Sequence, residues 1–139
     1  MNLLPAIDVT SGALSAQKMR VDVVAQNIAN AHTTRGPDGT PYQRRVVQFE
    51  TELLSRLGED GKPLHGVRIG EVSPDQTPGK VVYDPAHPDA DENGMVQLTN
   101  VNMAYEMVDL ITATRAYEAN LSVVKSAREM TMKTLQIGR

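Results

Sequence analysis

Three local patterns in the chain bring together residue types capable of chemistry. The first is DADENG, residues 89 to 94, where Asp89, Asp91, Asn93 and Gly94 fall at positions one, three, five and six of a calcium-binding loop. Position twelve of such a loop needs a bidentate Glu, and here it is Asn100; the preceding YDPAHP carries two prolines, which forbid the usual entering helix. The pattern therefore reads as a solvated acidic turn. Ser15-Ala-Gln-Lys18 and Ser122-Val-Val-Lys125 both fit the S-x-x-K spacing of acyl-transferring serine enzymes, with no accompanying SDN or KTG element and no segment that would build an oxyanion hole. They read as helix-surface residues. His32, His65 and His87 fall in three different loops with no second His or Glu at ligand spacing, although Asp84 and Asp89 lie near His87. These residues predict no catalytic group, no cofactor and no metal.

The elements that hold these patterns are set out by punctuation. Residues 1 to 32 contain only Pro5 and Gly12, residues 33 to 100 hold eight Gly and seven Pro, and residues 101 to 139 hold only Gly138. Helix, β-rich middle, helix is the expected order. In the last part Met103, Met107, Leu110, Thr114, Tyr117, Leu121, Val124, Arg128, Thr131 and Leu135 recur at alternating spacings of four and three, a heptad seam. Ala104, Val108 and Ile111 form a second row, and Ala116, Val123, Ala127 and Met130 a third, so the apolar surface is wider than one helix partner needs. Asn100 or Asn102 is placed to cap a helix over 103 to 137. In the first part Ile7, Leu14, Val21 and Ile28 recur every seven residues, with Ala13, Val24, Ala25 and Ala31 beside them. Pro5 sits where a first turn tolerates it. The fold class is α+β: long N- and C-terminal helices (1–32 and 101–139) pairing as a coiled coil, with a small central β-rich segment (33–100). Within that segment, 44–49 and 67–72 alternate as strands, 80–83 and 95–98 flank a turn-rich loop, and 33–41 and 58–63 are junctions.

A 35-residue helix is about 52 Å long, whereas a compact chain of this size is roughly 37 Å across. The helix must protrude, and its apolar faces call for partner chains. The chain has 139 residues, 40 % apolar and 22 % charged, and suits one domain. Its net charge of −3 gives no electrostatic case for nucleic acid. No cysteines are present, no apolar run is long enough to span a membrane, and the N-terminus lacks a charged n-region and apolar h-region, so neither membrane insertion nor a cleaved signal is expected. With five aromatics and no Trp, any central core is small.

ALSAQKMRVDVVAQNIANAHTT, residues 13 to 34, resembles the N-terminal signature of bacterial flagellar axial proteins. VYDPAHPDADENG, followed by NVNMAYEMVDLITATRAYEAN and a closing LQIGR, is similar to a proximal-rod member of that family; Met95 departs from it, standing where an aromatic residue is implied. The resemblance implies terminal helices that pair and stack with those of other subunits into a hollow tube, transmitting torque and enclosing the export channel. It implies as partners copies of the chain itself, other flagellar rod proteins and the flagellar type III export apparatus. It places the protein in the basal body, in the periplasm after export from the cytoplasm without a cleaved signal. The expected assembly interface is Ile7, Leu14, Val21, Val24, Ile28, Met103, Met107, Leu110, Tyr117, Leu121, Val124 and Leu135. A cytoplasmic coiled-coil adaptor, using the same seams in a closed dimer, is the alternative.

Overall fold

The computed structural model describes residues 4–57 and 63–137. Helix α1 spans Leu4–Ala29, strands β1 (Arg45–Leu57) and β2 (Pro63–Pro74) form one two-stranded antiparallel sheet, and β3 (Val81–Tyr83) and β4 (Met95–Gln97) form another. Helix α2 runs over Met103–Ile137, 35 residues, as the uninterrupted run of helix formers predicts. Its cap is Asn102, whose side-chain oxygen accepts from the backbone N–H of Ala104 (3.1 Å) and Tyr105 (3.4 Å). Asn100 is used elsewhere.

The helices pack antiparallel, since Asn27 meets Glu106 while Arg20, earlier in α1, meets Asp109, later in α2. Their contact line is not the predicted one. The buried residues of α2 are Glu106, Ala113 and Ala127, and with half-buried Met103, Leu110, Tyr117, Asn120 and Val124 they alternate at spacings of three and four. This line shares Met103, Leu110, Tyr117 and Val124 with the predicted seam. At every other step it lies one residue before Met107, Thr114, Leu121 and Arg128. On α1 the buried positions are Ala16, Val23, Val24 and Asn27. Small side chains let the backbones approach closely, and beyond Ala127 every α2 residue from Arg128 to Ile137 is exposed, about 15 Å of helix.

The β1–β2 ribbon lies along α1. Asn27 bonds to Arg45 at one end, and at the other Gly12 lies so close to the Val67 carbonyl that an added Cβ would sit 2.7 Å from it. The intervals agree: Gly12 to Asn27 is about 22 Å of helix, and Arg45 to Thr51, the partner of Val67, about 20 Å of strand. The strands extend well past the stretches that alternate, and residues 49 to 53 of β1 are exposed. His65 lies within β2, not in a loop. Residues 58–62 of the predicted junction lie outside the described residues.

The core is small. Its buried apolar members among the described residues are Ala16, Val23, Val24, Val96, Ala113 and Ala127, and the chain exposes 10036 Å², against roughly 7,100 Å² for a compact monomer of its mass.

A buried polar junction as candidate functional site

Where α1 ends, α2 begins and β1 leaves, the chain buries polar groups in place of hydrocarbon. Glu106 is 0 % exposed and Asn27 1 %. One Glu106 oxygen accepts from the Asn27 amide at 3.0 Å, and the other from Arg44 Nε at 2.6 Å. The Asn27 amide nitrogen also donates to the Arg45 carbonyl (2.9 Å), while its oxygen accepts from the Arg45 N–H (2.9 Å) and the Tyr42 hydroxyl (2.9 Å). Asn27 thus pairs with the backbone at the first residue of β1, as a neighbouring strand would. The Arg44 guanidinium reaches Asp75 (3.6 Å) and Asp109 (3.7 Å), and Asp109 also holds Arg20 (3.1 Å).

A second tier joins the chain entering α2. The Arg44 N–H donates to Asn100 Oδ1 (2.6 Å), the Asn100 amide donates to the carbonyls of Asp75 (3.0 Å) and Thr77 (2.8 Å), and the Thr99 hydroxyl donates to the Ala31 carbonyl (2.6 Å). These bonds satisfy most of what the site buries, so the cost of desolvating Glu106 is offset.

Electrostatics follow from the geometry. Burial works against the Arg44 charge, but the hydrogen bond and charge of Glu106, with Asp75 and Asp109, outweigh it and hold the guanidinium above its ordinary value. Burial raises the Tyr42 phenol; Arg45 opposes this and Glu106 adds to it. The Thr77 hydroxyl and N–H, with a smaller contribution from Arg44, hold the Asp75 carboxyl below the usual carboxylate range. A carboxyl depressed by folding stabilises the protein above its unfolded value of about 3.9 and loses that contribution as pH falls through the folded value. Asp75→Asn is therefore expected to flatten the acid limb of a stability–pH profile below about pH 4. An unchanged limb in denaturant titrations would show that Asp75 is not coupled to folding.

The patterns capable of chemistry go to other uses. Asp91 Oδ1 accepts from the N–H groups of Asn93 (2.9 Å) and Met95 (2.8 Å), Asp84 accepts from Ala86, and Asp89 takes the Thr34 hydroxyl (2.7 Å) and Arg35 (3.7 Å). The carboxylates thus tie a turn and clip it to the exit of α1. Ser15, Lys18, Ser122 and Lys125 are exposed on their helices. A cleft of ≈ 630 Å³ between the two helix ends is lined by His32, Lys80 and His87, and the Nδ1 of His87 already accepts from the Asp89 N–H.

Of the expected interface residues, Val24 is buried; Ile7, Leu14, Val21, Ile28, Met103, Leu110, Tyr117, Leu121 and Val124 are half-buried; Met107 and Leu135 are exposed. The junction itself escaped the search for apolar periodicity because its members are polar. Glu106 and Asp109 do follow the capping Asn102 inside an otherwise apolar stretch, a signal open to reading.

Long antiparallel terminal helices are thus held to a small β segment by a buried polar junction. A family model described as "Flagella basal body rod protein" matches residues 7–37, and one described as "Flagellar basal body rod FlgEFG protein C-terminal" matches residues 92–137. The chain is 42 % identical to a flagellar basal-body rod protein FlgC of Borreliella burgdorferi (99 % of this chain, 98 % of the relative). It is 40 % identical to the one of Salmonella typhimurium and 37 % to that of Bacillus subtilis, each over the full length of both chains. The chain belongs to the FlgC family, and it is a structural subunit of the flagellar basal-body rod.

Proposed function

We propose that the subunit polymerises through its terminal helices, paired as a coiled coil, into a hollow tube that forms the proximal rod, transmits torque and encloses the export channel. The observation that carries this reading is the surface left uncovered. The chain exposes 10036 Å², about 2,900 Å² above the compact expectation, an excess on the scale of a large obligate interface. It includes apolar side chains on the side of α2 away from α1: Tyr105, Val108 and Ile111 are 73 %, 61 % and 55 % exposed. Of the twelve predicted interface residues, Met103, Leu110, Tyr117 and Val124 lie on the intrachain contact line and Val24 is buried, while the exposed Met107 and Leu135 are open to neighbouring helices. Partners are copies of the chain and other rod proteins. The route is type III export to the periplasm without a cleaved signal, for a chain in which no described helix is long and apolar enough to cross a membrane. No step in this mechanism requires a catalytic group. Membership of a rod family favours the tube over a closed-dimer adaptor.

Val108→Asp tests the reading, because the side chain is free in the subunit and would be buried in a tube. The variant is expected to keep the helicity and denaturation midpoint of the parent and to leave cells without rods and non-motile. Normal swimming in a strain carrying only this variant would overturn the proposal.

A further inference from the structure

We propose that Glu106 and Arg44 are register-determining residues, selecting one axial alignment of α1 against α2 from several that the apolar contacts allow. The inference concerns the single subunit. It rests on the helix-pairing part of the reading above and not on the tube.

The apolar contact line is repetitive. On α1, Val9, Ala16 and Val23 lie seven residues apart, as do Leu110, Tyr117 and Val124 on α2, and Ala113 and Ala127 are two such steps apart. Among the described helices and strands α2 packs against α1 only. A slide of seven residues, about 10.5 Å, keeps this spacing, setting Val9 or Val23 in the place of Ala16, and Asn120 or Glu106 in the place of Ala113. Burial of hydrocarbon, which is not directional, does not distinguish these alignments strongly.

The ion pair does. Glu106, fully buried, has Asn27 and Arg44 as partners in the observed register. Arg44 follows Asn27 in any slide, because Asn27 is bonded to both backbone groups of Arg45. Sliding α1 one way carries Glu106 past the end of that helix and away from both partners. Sliding it the other way brings Arg20 over Glu106, but takes that cation from Asp109 (3.1 Å in the observed register) and strips Arg44 of two of its three carboxylates. Each shifted alignment leaves a buried or half-buried charge without its partner, the situation in which a buried polar group specifies register most strongly. The competing explanation is that the tethers at Thr99 and Asn100 fix the alignment by themselves.

The chain contains no cysteine, so introduced pairs report cleanly. Continuing from Arg20–Asp109 by four residues on each helix places Ala16 level with Ala113. Ala113→Cys would be combined in the purified full-length subunit with Ala16→Cys for the observed register, or with Val9→Cys or Val23→Cys for the two slides, and intrachain disulfides read on non-reducing gels. With Glu106 and Arg44 present, only the Ala16 pair is expected to close. With Arg44→Met and Glu106→Met, the denaturation midpoint is expected to stay equal or rise, while a slid pair closes to at least a tenth of the yield of the Ala16 pair. Glu106→Gln, which keeps the shape and the contact to Asn27, is expected to show the same slippage to a smaller degree. Exclusive closure of the Ala16 pair in both variants would overturn the proposal in favour of the tethers, and so would loss of folding in the double variant. The readout is intrachain, so failure of tube assembly would leave it standing.

Discussion

Replacing Glu106 by alanine is expected to destabilise the purified subunit by about 3 kcal/mol and to abolish rod formation in cells. Removing one member of a buried pair typically costs about 3–5 kcal/mol, because the remaining group stays desolvated. The lower end applies here, since Arg44 is 26 % exposed and keeps Asp75 and Asp109 within reach. The Asn27 amide also keeps its bond to the Arg45 carbonyl. Denaturant titration of the Glu106→Ala, Arg44→Ala and double variants closes the cycle that isolates the pair. A single-variant loss below about 1 kcal/mol, the scale of an exposed ion pair, would mean that the carboxylate is not buried in solution.

A comparable loss is expected at Gly79, by a different mechanism. A Cβ there would stand 1.9 Å from the Leu98 carbonyl oxygen, and the obstruction is backbone, so no side chain can swing aside. Gly79→Ala must push apart the strand-like pairing in which the Leu98 N–H donates to the Lys80 carbonyl at 2.7 Å. Thr99 and Asn100 follow at once, and with them the bonds to Ala31 and Arg44 that lead into the cap of α2. Overpacking costs about 1–3 kcal/mol where neighbours can yield, and the upper value is expected at this rigid contact. Melting of the subunit should show a lower midpoint and loss of motility should accompany it. A variant as stable as the parent would place the two backbones farther apart than 1.9 Å implies.

What the sequence disclosed depended on which force shaped each element. The span of α2 was readable because helix formers run unbroken from Met103 and Asn102 can cap them, both local effects. The phase of its contact line was not. A search for large apolar residues picks Met107 and Leu121, whereas close approach of two backbones favours Ala113 and Ala127, and a polar junction needs Glu106. The outer ends of β1 and β2 were missed because alternation reports a half-buried sheet, and residues 49 to 53 have no buried face to report. DADENG reads as an acidic turn because Asn100 stands at position twelve and two prolines precede it, and within that turn Asp91 accepts from the Asn93 and Met95 amides. Asn100 was expected as an alternative to Asn102 for the cap of α2; Asn102 takes that place, and Asn100 joins Arg44 to the Asp75–Thr77 loop.

The last ten residues of α2 give the subunit a mechanical character. From Arg128 onward nothing among the described residues braces the helix, so this end is a cantilever clamped near Ala127, while α1 carries the β1–β2 ribbon as a splint along much of its length. The deflection of a cantilever under an end force grows as the cube of its free length, so a sleeve of neighbours that shortens the free span by half would reduce it about eightfold. Bending stiffness at this end is therefore a property of the surrounding assembly, and a shaft built from such parts becomes rigid as it is completed.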